Sequence, residues 1–173
     1  MKTDHMQRKL ISVIVPAYKQ EKTIAGDLKR IKEVLDKLRY PSELIVVVDG
    51  KVDKIFQEAL KFAAKNDNVK VIGYEHNKGK GYAIRFGIAE SKGDVIGFID
   101  AGMDLNPKGL SLILEHFEWY NADIIVGSKR HPVSKVYYPW QRKILSFGYK
   151  MLVWLLFGLK VKDTQVGMKF FKR

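Results

Sequence analysis

The sequence predicts an α/β fold in which helices wind around a mostly parallel sheet, and three observations lead to this class. First, short apolar runs rich in β-branched residues are bounded by turn-forming or charged residues, as buried strands are. Second, these runs alternate with longer stretches whose apolar residues recur at helical spacing. Third, 173 residues with 46% hydrophobic content suffice for one sizeable core but not comfortably for two. A doubly wound sheet with right-handed crossovers follows from this alternation.

Five strands and four helices are expected in alternation. The strand-like runs are 11–15, 44–48, 69–74, 95–99 and 124–126. The helical stretches carry their apolar residues over 24–38, 55–63, 83–89 and 110–117. The last helix has a clear start, because Asn106 can cap free N–H groups and Pro107 suits the first helical position. Ligands of such sheets bind beyond the carboxyl ends of the strands, so the residues that follow each strand are the first candidates for a site.

The composition narrows the function classes. The absence of cysteine excludes a disulfide framework, a thiolate zinc site and a cysteine nucleophile, and makes a reducing, cytoplasmic compartment the default expectation. Residues 1–10 contain charges but no apolar stretch of signal-peptide length. The formal charge of +12 is concentrated in 121–173, which hold 11 basic and 2 acidic side chains. Such a basic surface suits anionic lipid, phosphorylated substrates or nucleic acid, but no RNA- or DNA-binding motif accompanies it, so we expect no nucleic acid.

A basic and then aromatic segment, QRKILSFGYKMLVWLLFGLK, occupies 141–160. Its charge-free part, 151–159, is shorter than the ~20 residues that span a bilayer. One interpretation is an interfacial helix at a membrane surface, with Trp154 at headgroup depth and Arg142 facing anionic lipid. The alternative is a buried core helix, and the residues do not decide between the two.

Two carboxylates follow the fourth predicted strand. Asp100 comes directly after the apolar run, and Asp104 comes after a glycine-containing turn. Together they could hold Mg²⁺ or Mn²⁺ through oxygen ligands, while diphosphate oxygens take other positions on the ion. Such an ion would neutralise a departing diphosphate. The alternative is structural: Asp104 belongs to an Asx-type turn, and Asp100 accepts bonds from local N–H groups.

Glycine-containing segments follow the second and third strands. Gly79, Lys80 and Gly81 lie where a strand gives way to a helix, a place suited to anions because free N–H groups point outward there. Asp49 and Gly50 place a lone carboxylate where it could accept a hydrogen bond from a base N–H or a ribose hydroxyl. Loop and turn geometry is the structural alternative for both segments. The four histidines show no zinc-binding spacing, so a zinc hydrolase is unsupported.

Six segments together resemble family 2 glycosyltransferases, and within that family the branch that acts on polyprenyl phosphates. In chain order they are VIVPAYKQEKTI, ELIVVVDG, NKGKGYAIRFGI, FIDAGMD, IIVGSKRH and DTQVGMKFFKR. The resemblance runs from about residue 11 to residue 173, and six motifs in order are far more specific than any one of them. It implies a GT-A fold, which is Rossmann-like, and an inverting transfer of glucose or mannose from a nucleotide sugar to a polyprenyl (dolichyl) phosphate.

The resemblance also implies roles for individual residues. A nucleotide-sugar site would be formed by Pro16, Ala17, Tyr18, Glu21, Asp49, Lys80, Asp100 and Ala101. The catalytic set would be Asp100, Lys129, Asp163 and Gln165. The acceptor phosphate would be met by Lys129, Arg130, Arg142 and Lys169. A loop that closes over donor and acceptor would contain Asp163, Gln165, Gly167 and Lys169.

Two departures from the family pattern remove carboxylates. Val48 stands where the family usually has the first aspartate of Asp-Asp-Gly, and Gly102 stands where it has the second aspartate of its metal motif. We hypothesise that Asp104 supplies the charge that Gly102 lacks, so that Asp100 and Asp104 hold Mg²⁺ or Mn²⁺. In a third difference, Lys129 replaces the usual arginine of Gly-Ser-Arg.

These expectations make the chain a metal-dependent hexosyltransferase, peripheral at the cytoplasmic face of a membrane, with UDP-glucose favoured over GDP-mannose as donor. We expect a single catalytic domain, 1–173, with a nucleotide-sugar-binding half at 9–130 and an acceptor and membrane-proximal part at 131–173. Family members continue past this point, so the acceptor part is expected to be truncated. Two alternatives stay open: a GT-A transferase that acts on a glycan hydroxyl, and a nucleotide-sugar-binding module without catalysis.

Overall fold

A six-stranded, mostly parallel sheet organises the protein. In this computed structural model the described residues are 9–102, 106–127, 151, 155–156, 158 and 167–173. The strands are β1 (Ile11–Ala17), β2 (Ser42–Asp49), β3 (Val69–Tyr74), β4 (Val95–Ile99), β5 (Ile124–Val126) and β6 (Met168–Lys172). Their order across the sheet is β3, β2, β1, β4, β6, β5. The pairs of β1 with β2, β1 with β4 and β2 with β3 are parallel, so the predicted sheet class is confirmed.

Four helices connect the strands in the described part of the chain: α1 (Ile24–Leu35), α2 (Ile55–Ala63), α3 (Lys80–Glu90) and α4 (Gly109–Trp119). All four were predicted, but the start of α4 was wrong. The helix begins at Gly109 rather than at Pro107, because the N–H groups of Gly109 and Leu110 donate to the carbonyl oxygens three residues before them, at 3.0 Å and 2.9 Å, which makes the preceding residues a turn. Asn106 Oδ1 accepts the Lys108 N–H at 3.0 Å in this turn. The proline is therefore part of this turn.

The core lies around β1 and β2, whose apolar residues are buried on both faces of the sheet. One cluster joins Ile14, Ile45, Val47 and Ile96 to Ala83 of α3. Gly87 lets this helix approach closely, since a Cβ atom there would lie 2.7 Å from Ile14 Cγ2. The tight packing holds α3, and with it the loop before α3, against the centre of the sheet.

The strand β6 was missed by the sequence analysis. It runs antiparallel to β4, with Lys169 opposite Phe98, so Lys169 belongs to a strand and not to the loop that the resemblance implied. Met168 and Phe170 point into the core from the same face. Phe170 fills the space above Gly97, where a Cβ atom would lie 2.2 Å from its ring. This strand brings Gly167 to the end of β4.

The chain divides into two compact units, one of residues 1–125 with 167–173 and the other of residues 126–166. In the second unit, Met151, Leu155 and Leu156 are helical and exposed. The rest of the predicted membrane-proximal segment lies outside the described residues. Among the residues that are described, no helix combines the length and the apolar character needed to cross a membrane. The expectation of one catalytic domain over 1–173 stays a prediction.

Candidate functional site

The carboxyl ends of the central strands meet at one edge of the sheet, as the sequence predicted. Ala17 at the end of β1 is in register with Val48 of β2, and Ile14 is in register with Phe98 of β4. The residues that follow these strands therefore lie close together. Asp49 at the end of β2 and Asp100 after β4 lie at this edge, and both are among the carboxylates that the sequence analysis placed in the site.

Asp100 directly follows β4 and forms an ion pair with Lys80, the first residue of α3. The Lys80 ammonium donates to Oδ2 at 2.7 Å and lies 2.6 Å from Oδ1. Oδ1 is buried, and the nearby ammonium balances its charge. The side chains of Lys80 and Asp100 are 49% and 30% exposed, so water weakens the pair and a bound ligand could displace the lysine.

Gly167 leaves room for the Asp100 carboxylate. Its carbonyl oxygen accepts the Asp100 N–H at 3.1 Å. A Cβ atom on Gly167 would lie 2.1 Å from Asp100 Oδ2, a separation that no side chain tolerates. Glycine at this position therefore allows the carboxylate to lie against β6 and to face Lys80.

Asp27 is a member of this edge that the sequence analysis missed. It lies in the first turn of α1, is buried, and accepts the Gly102 N–H through Oδ2 at 3.0 Å. This bond fixes the turn that carries Ala101 and Gly102 away from Asp100. A signal was present in the sequence, because a carboxylate stands among the apolar positions of the helix, next to Leu28 and three residues after Ile24.

Asp49, at the end of β2, is 3% exposed and holds the loop between β3 and α3. Its Oδ1 accepts the Tyr74 hydroxyl and the Lys78 N–H, both at 2.8 Å. Its Oδ2 accepts the Asn77 amide at 2.9 Å. Burial and the hydrogen bond to Asp49 raise the pKa of Tyr74 above the ordinary tyrosine value, so the phenol remains a donor.

The loop after β1 forms a wall of a cleft at the same edge. Pro16 and Ala17 end the strand, and the ring of Tyr18 is exposed. Glu21 accepts the Lys54 N–H at 3.1 Å, which links this loop to the start of α2. The cleft has a volume of about 520 Å³ and is lined by Lys19, Gln20, Glu21, Lys22, Thr23, Asp53 and Gly102. It adjoins the turn that follows Asp100 and is large enough for part of a nucleotide.

Lys169 and Lys80 flank the ring of Phe98. Their ammonium groups lie 5.9 Å and 6.0 Å from the ring centroid, within the range of a cation–π contact. The structure thus places both lysines beside Phe98 of β4. The other predicted catalytic, phosphate-binding and metal-binding residues lie outside the described residues: Asp104, Lys129, Arg130, Arg142, Asp163 and Gln165.

The fit of a divalent cation rests on Asp100. Its Oδ1 is buried and is balanced by a lysine that is 49% exposed and could give way to an ion, and a carboxylate oxygen is a preferred ligand of Mg²⁺ and Mn²⁺. The described part of the chain contains no cluster of three or more histidine, cysteine, aspartate or glutamate side chains able to hold a metal. Asp100 therefore fits as one ligand, and Asp104, which lies outside the described residues, and a bound diphosphate are the candidates for further ligands.

Residues 12–173 match the family described as Glycosyl transferase family 2. A dolichyl-phosphate beta-glucosyltransferase of Homo sapiens is 34% identical over 182 residues, which cover 95% of this chain and 55% of the relative. A dolichyl-phosphate beta-glucosyltransferase of Trichomonas vaginalis is 32% identical over 174 residues, which cover 94% of this chain and 53% of the relative. The chain thus spans about half the length of these curated relatives.

Solved structures share the fold at lower identity. Glucosyl-3-phosphoglycerate synthase from Mycobacterium tuberculosis, solved with Mn²⁺, UDP and phosphoglyceric acid, matches with a TM-score of 0.70 and 20% identity, over 95% of this chain and 56% of that chain. The mannosyltransferase PcManGT from Pyrobaculum calidifontis, solved with GDP-Man and Mn²⁺, matches with a TM-score of 0.67 and 16% identity, over 96% and 45%. Both have the GT-A fold, so the GT-A architecture expected from the sequence is confirmed.

Proposed function

Because the chain belongs to glycosyl transferase family 2, we propose that it takes part in moving glucose from UDP-glucose to a polyprenyl phosphate of the dolichyl type. The observation that carries this proposal is the pairing of Lys80 with Asp100 beside the cleft at the carboxyl ends of the strands. A cation and a carboxylate at this edge suit a diphosphate and its metal ion. The dolichyl-phosphate beta-glucosyltransferases that are 32% and 34% identical support glucose as the sugar and dolichyl phosphate as the acceptor.

The donor would lie along the edge formed by the first loop and the ends of β2 and β4. The residues proposed to line it are Pro16, Ala17, Tyr18, Glu21, Asp49, Lys80, Asp100 and Ala101. The cleft next to Glu21 and Gly102 supports this placement, because it opens at the turn that follows Asp100. Lys80 would turn from Asp100 toward the diphosphate and stabilise the charge that develops as the sugar leaves.

A divalent cation, Mg²⁺ or Mn²⁺, would be held by Asp100 together with Asp104. When bound, such an ion would neutralise the leaving diphosphate. Gly102 has no side-chain carboxylate, so Asp104 is the carboxylate nearest to Asp100 in sequence that could complete the set. The ion pair of Asp100 with the partly exposed Lys80, a cation that a divalent ion could replace, supports the first half of this assignment.

The acceptor phosphate needs no dedicated base. A polyprenyl phosphate is already an anion near neutral pH, so its oxygen can attack without losing a proton to the protein. The work of the chain would then be to orient the two substrates and to balance their charge. We assign the acceptor phosphate to Lys129, Arg130, Arg142 and Lys169, and the closing catalytic contacts to Lys129, Asp163 and Gln165. The proximity of Lys169 to the Phe98 ring beside Lys80 supports its share of this role.

The basic character of 121–173 supports a position at the surface of a membrane, where the acceptor lipid lies. We propose that the protein works as a peripheral enzyme on the cytoplasmic face. The nucleotide-sugar half would be 9–130 and the acceptor part 131–173, within one catalytic domain.

The test is a donor panel with a short polyprenyl phosphate. UDP-glucose and GDP-mannose, each radiolabelled in the sugar, are incubated with the protein and either Mg²⁺ or Mn²⁺, and lipid-linked product is separated by extraction. We expect product from UDP-glucose, its loss in Asp100→Asn, and wild-type yield in the control Asp123→Asn, which removes an exposed carboxylate elsewhere. Turnover only with a saccharide acceptor would replace the acceptor proposed here. Donor binding without turnover would identify a non-catalytic module.

A further inference from the structure

We propose that Asp27, in the first turn of α1, supplies negative charge to the divalent cation that Asp100 would hold. The inference rests on the proposed function, because it assigns a further residue to the cation site proposed there. It is separate from the role of Asp104. Asp27 would act through its place in the fold, beside the turn that follows β4, and not through the sequence of the metal motif.

Asp27 lies against the turn in which the usual second aspartate is missing. Its Oδ2 accepts the Gly102 N–H at 3.0 Å. Gly102 stands two residues after Asp100, and two residues of chain span at most ~7 Å, so the Asp27 carboxylate lies within about 10 Å of the Asp100 Cα atom. The fold thus brings a carboxylate of α1 close to the place where the motif has lost its own.

The Asp27 carboxylate is buried without a cation beside it. The residue is 6% exposed, and no lysine, arginine or histidine in the described part of the chain forms an ion pair with it. Among the described residues, its side chain has one hydrogen-bond donor, the Gly102 N–H. Buried charges in proteins are generally paired with an opposite charge or bound to a metal. A cation held by Asp100 would provide this opposite charge.

The charges around Asp100 favour the same role. Asp100 and Lys80 form an ion pair whose formal charges cancel. A divalent cation that met only this pair would be attracted weakly, because the lysine repels it. Asp27 brings the formal charge of these three side chains to −1. Its burial strengthens the effect, since salt screens a buried charge less than an exposed one.

The Mn²⁺ affinity of the full chain without nucleotide separates a role in charge from a role in the turn. Asp27→Asn keeps an oxygen that can accept the Gly102 N–H but removes the charge. We expect this variant to bind Mn²⁺ roughly tenfold more weakly than wild type. Asp27→Glu keeps the charge and should bind Mn²⁺ within about threefold of wild type. Electron paramagnetic resonance of free Mn²⁺ in a titration measures each affinity.

Asp94→Asn is the matched control. Asp94 also accepts a backbone N–H, that of Leu10 at 3.0 Å, and it directly precedes β4, whereas Asp100 directly follows that strand. The rise of a strand places the two about 20 Å apart, more than twice the screening length of about 8 Å in physiological salt. The control loses the same charge and should bind Mn²⁺ as wild type does.

Two results would overturn the inference. The first is wild-type Mn²⁺ affinity in Asp27→Asn, because the bond to Gly102 would then suffice without the charge. The second is an equal loss of affinity in Asp27→Asn and Asp27→Glu, because the shape of the turn would then matter and the charge would not.

The titration needs neither sugar nucleotide nor acceptor, so the inference and the proposed function can fail separately. If wild type forms no lipid-linked glucose but binds Mn²⁺ tenfold more tightly than Asp27→Asn, the proposed function fails and the inference holds. If wild type forms product and Asp27→Asn binds Mn²⁺ equally well, the inference fails alone. If wild type binds no Mn²⁺, the cation site is wrong and the inference falls with it.

Discussion

The ammonium of Lys80 lies 2.6 Å from Oδ1 and 2.7 Å from Oδ2 of Asp100, so the central carboxylate of the site already faces a cation. The ion pair balances the charge of Asp100. The second carboxylate of the usual metal motif is absent, because Gly102 stands in its place. A divalent ion and Lys80 would compete for the same oxygens. A diphosphate would relieve the competition by offering the lysine another anion.

Removal of Lys80 should therefore strengthen metal binding in the absence of nucleotide. We expect Lys80→Met to bind Mn²⁺ roughly two- to fivefold more tightly than wild type, a small gain because the ion pair is partly exposed. Electron paramagnetic resonance of free Mn²⁺ in a titration would measure this. Lys61→Met, which removes an exposed lysine paired with Glu58, is the control. Equal or weaker Mn²⁺ binding by Lys80→Met would show that the two cations do not compete.

Gly167→Ala should displace the Asp100 carboxylate. A Cβ atom at residue 167 would lie 2.1 Å from Asp100 Oδ2. Gly167 directly precedes β6, and β6 is fixed by its pairing with β4. We expect a loss of about 1–3 kcal/mol in the free energy of unfolding and a loss of Mn²⁺ binding. Gly26→Ala is the control, because no atom lies within 4 Å of a Cβ there, and alanine favours a helix. Mn²⁺ binding that survives in Gly167→Ala would place the ion elsewhere.

The centre of the sheet was predictable because β1 and β2 are buried on both faces and read as continuous apolar runs. β6 was not, because its lysines make MKFFK resemble a surface segment, and its antiparallel pairing with β4 depends on residues far apart in sequence. The start of α4 was misplaced by two residues, since Asn106 and Pro107 are typical both of a cap and of the turn before one.

The site was predictable to the extent that strand ends define it. Asp49 and Asp100 follow directly from the ends of β2 and β4. Their partners did not follow, because the bond from Asp27 to Gly102 and the ion pair with Lys80 join elements that only the fold brings together. Periodicity places residues on a face of a helix or strand, but it contains no distance between side chains of different elements.

Restoring the missing aspartate of the metal motif should cost stability. Gly102 has a φ of +96°, and its N–H is donated to Asp27. We expect Gly102→Asp to lower the free energy of unfolding by about 1–3 kcal/mol, because an L side chain is strained there. Urea denaturation would measure it, with Gly26→Asp as the control for adding the same charge at an open position. A Gly102→Asp variant as stable as wild type would show that backbone strain does not explain the glycine.

Asp104 should contribute to metal-dependent donor binding if it replaces the lost carboxylate. We expect Asp104→Ala to weaken binding of UDP-glucose in the presence of Mn²⁺ by roughly tenfold, and to change binding much less in the presence of EDTA. Isothermal titration calorimetry would compare the two conditions. Asp123→Ala, at an exposed ion pair, is the matched control. Unchanged metal-dependent binding in Asp104→Ala would leave Asp100 as the sole carboxylate of the pair to hold the ion.

Tyr40 should make the stability of the fold depend on alkaline pH. Its hydroxyl donates to Glu118 at 2.6 Å and accepts from Arg39 at 2.9 Å. These bonds link the segment between α1 and β2 to α4. Burial, and after it the hydrogen bond to Glu118, raises the pKa of Tyr40 to about 12. The unfolded chain loses this proton near pH 10, so the stability that Tyr40 contributes is present below about pH 10 and is lost as the pH rises toward 12.

Tyr40→Phe removes both the hydroxyl and its titration. Near pH 8 the variant should be less stable than wild type by about 1–2 kcal/mol, because Glu118 and Arg39 lose a partner. The difference should shrink at about pH 11, where unfolding of wild type is favoured by ionisation of the released tyrosine. Urea denaturation at both pH values would measure the difference in the free energy of unfolding. Lysine titration is common to both proteins and therefore cancels from this difference. Tyr120→Phe, at a ring that is 69% exposed, should follow wild type at both pH values. A difference between wild type and Tyr40→Phe that grows with pH would contradict the raised pKa.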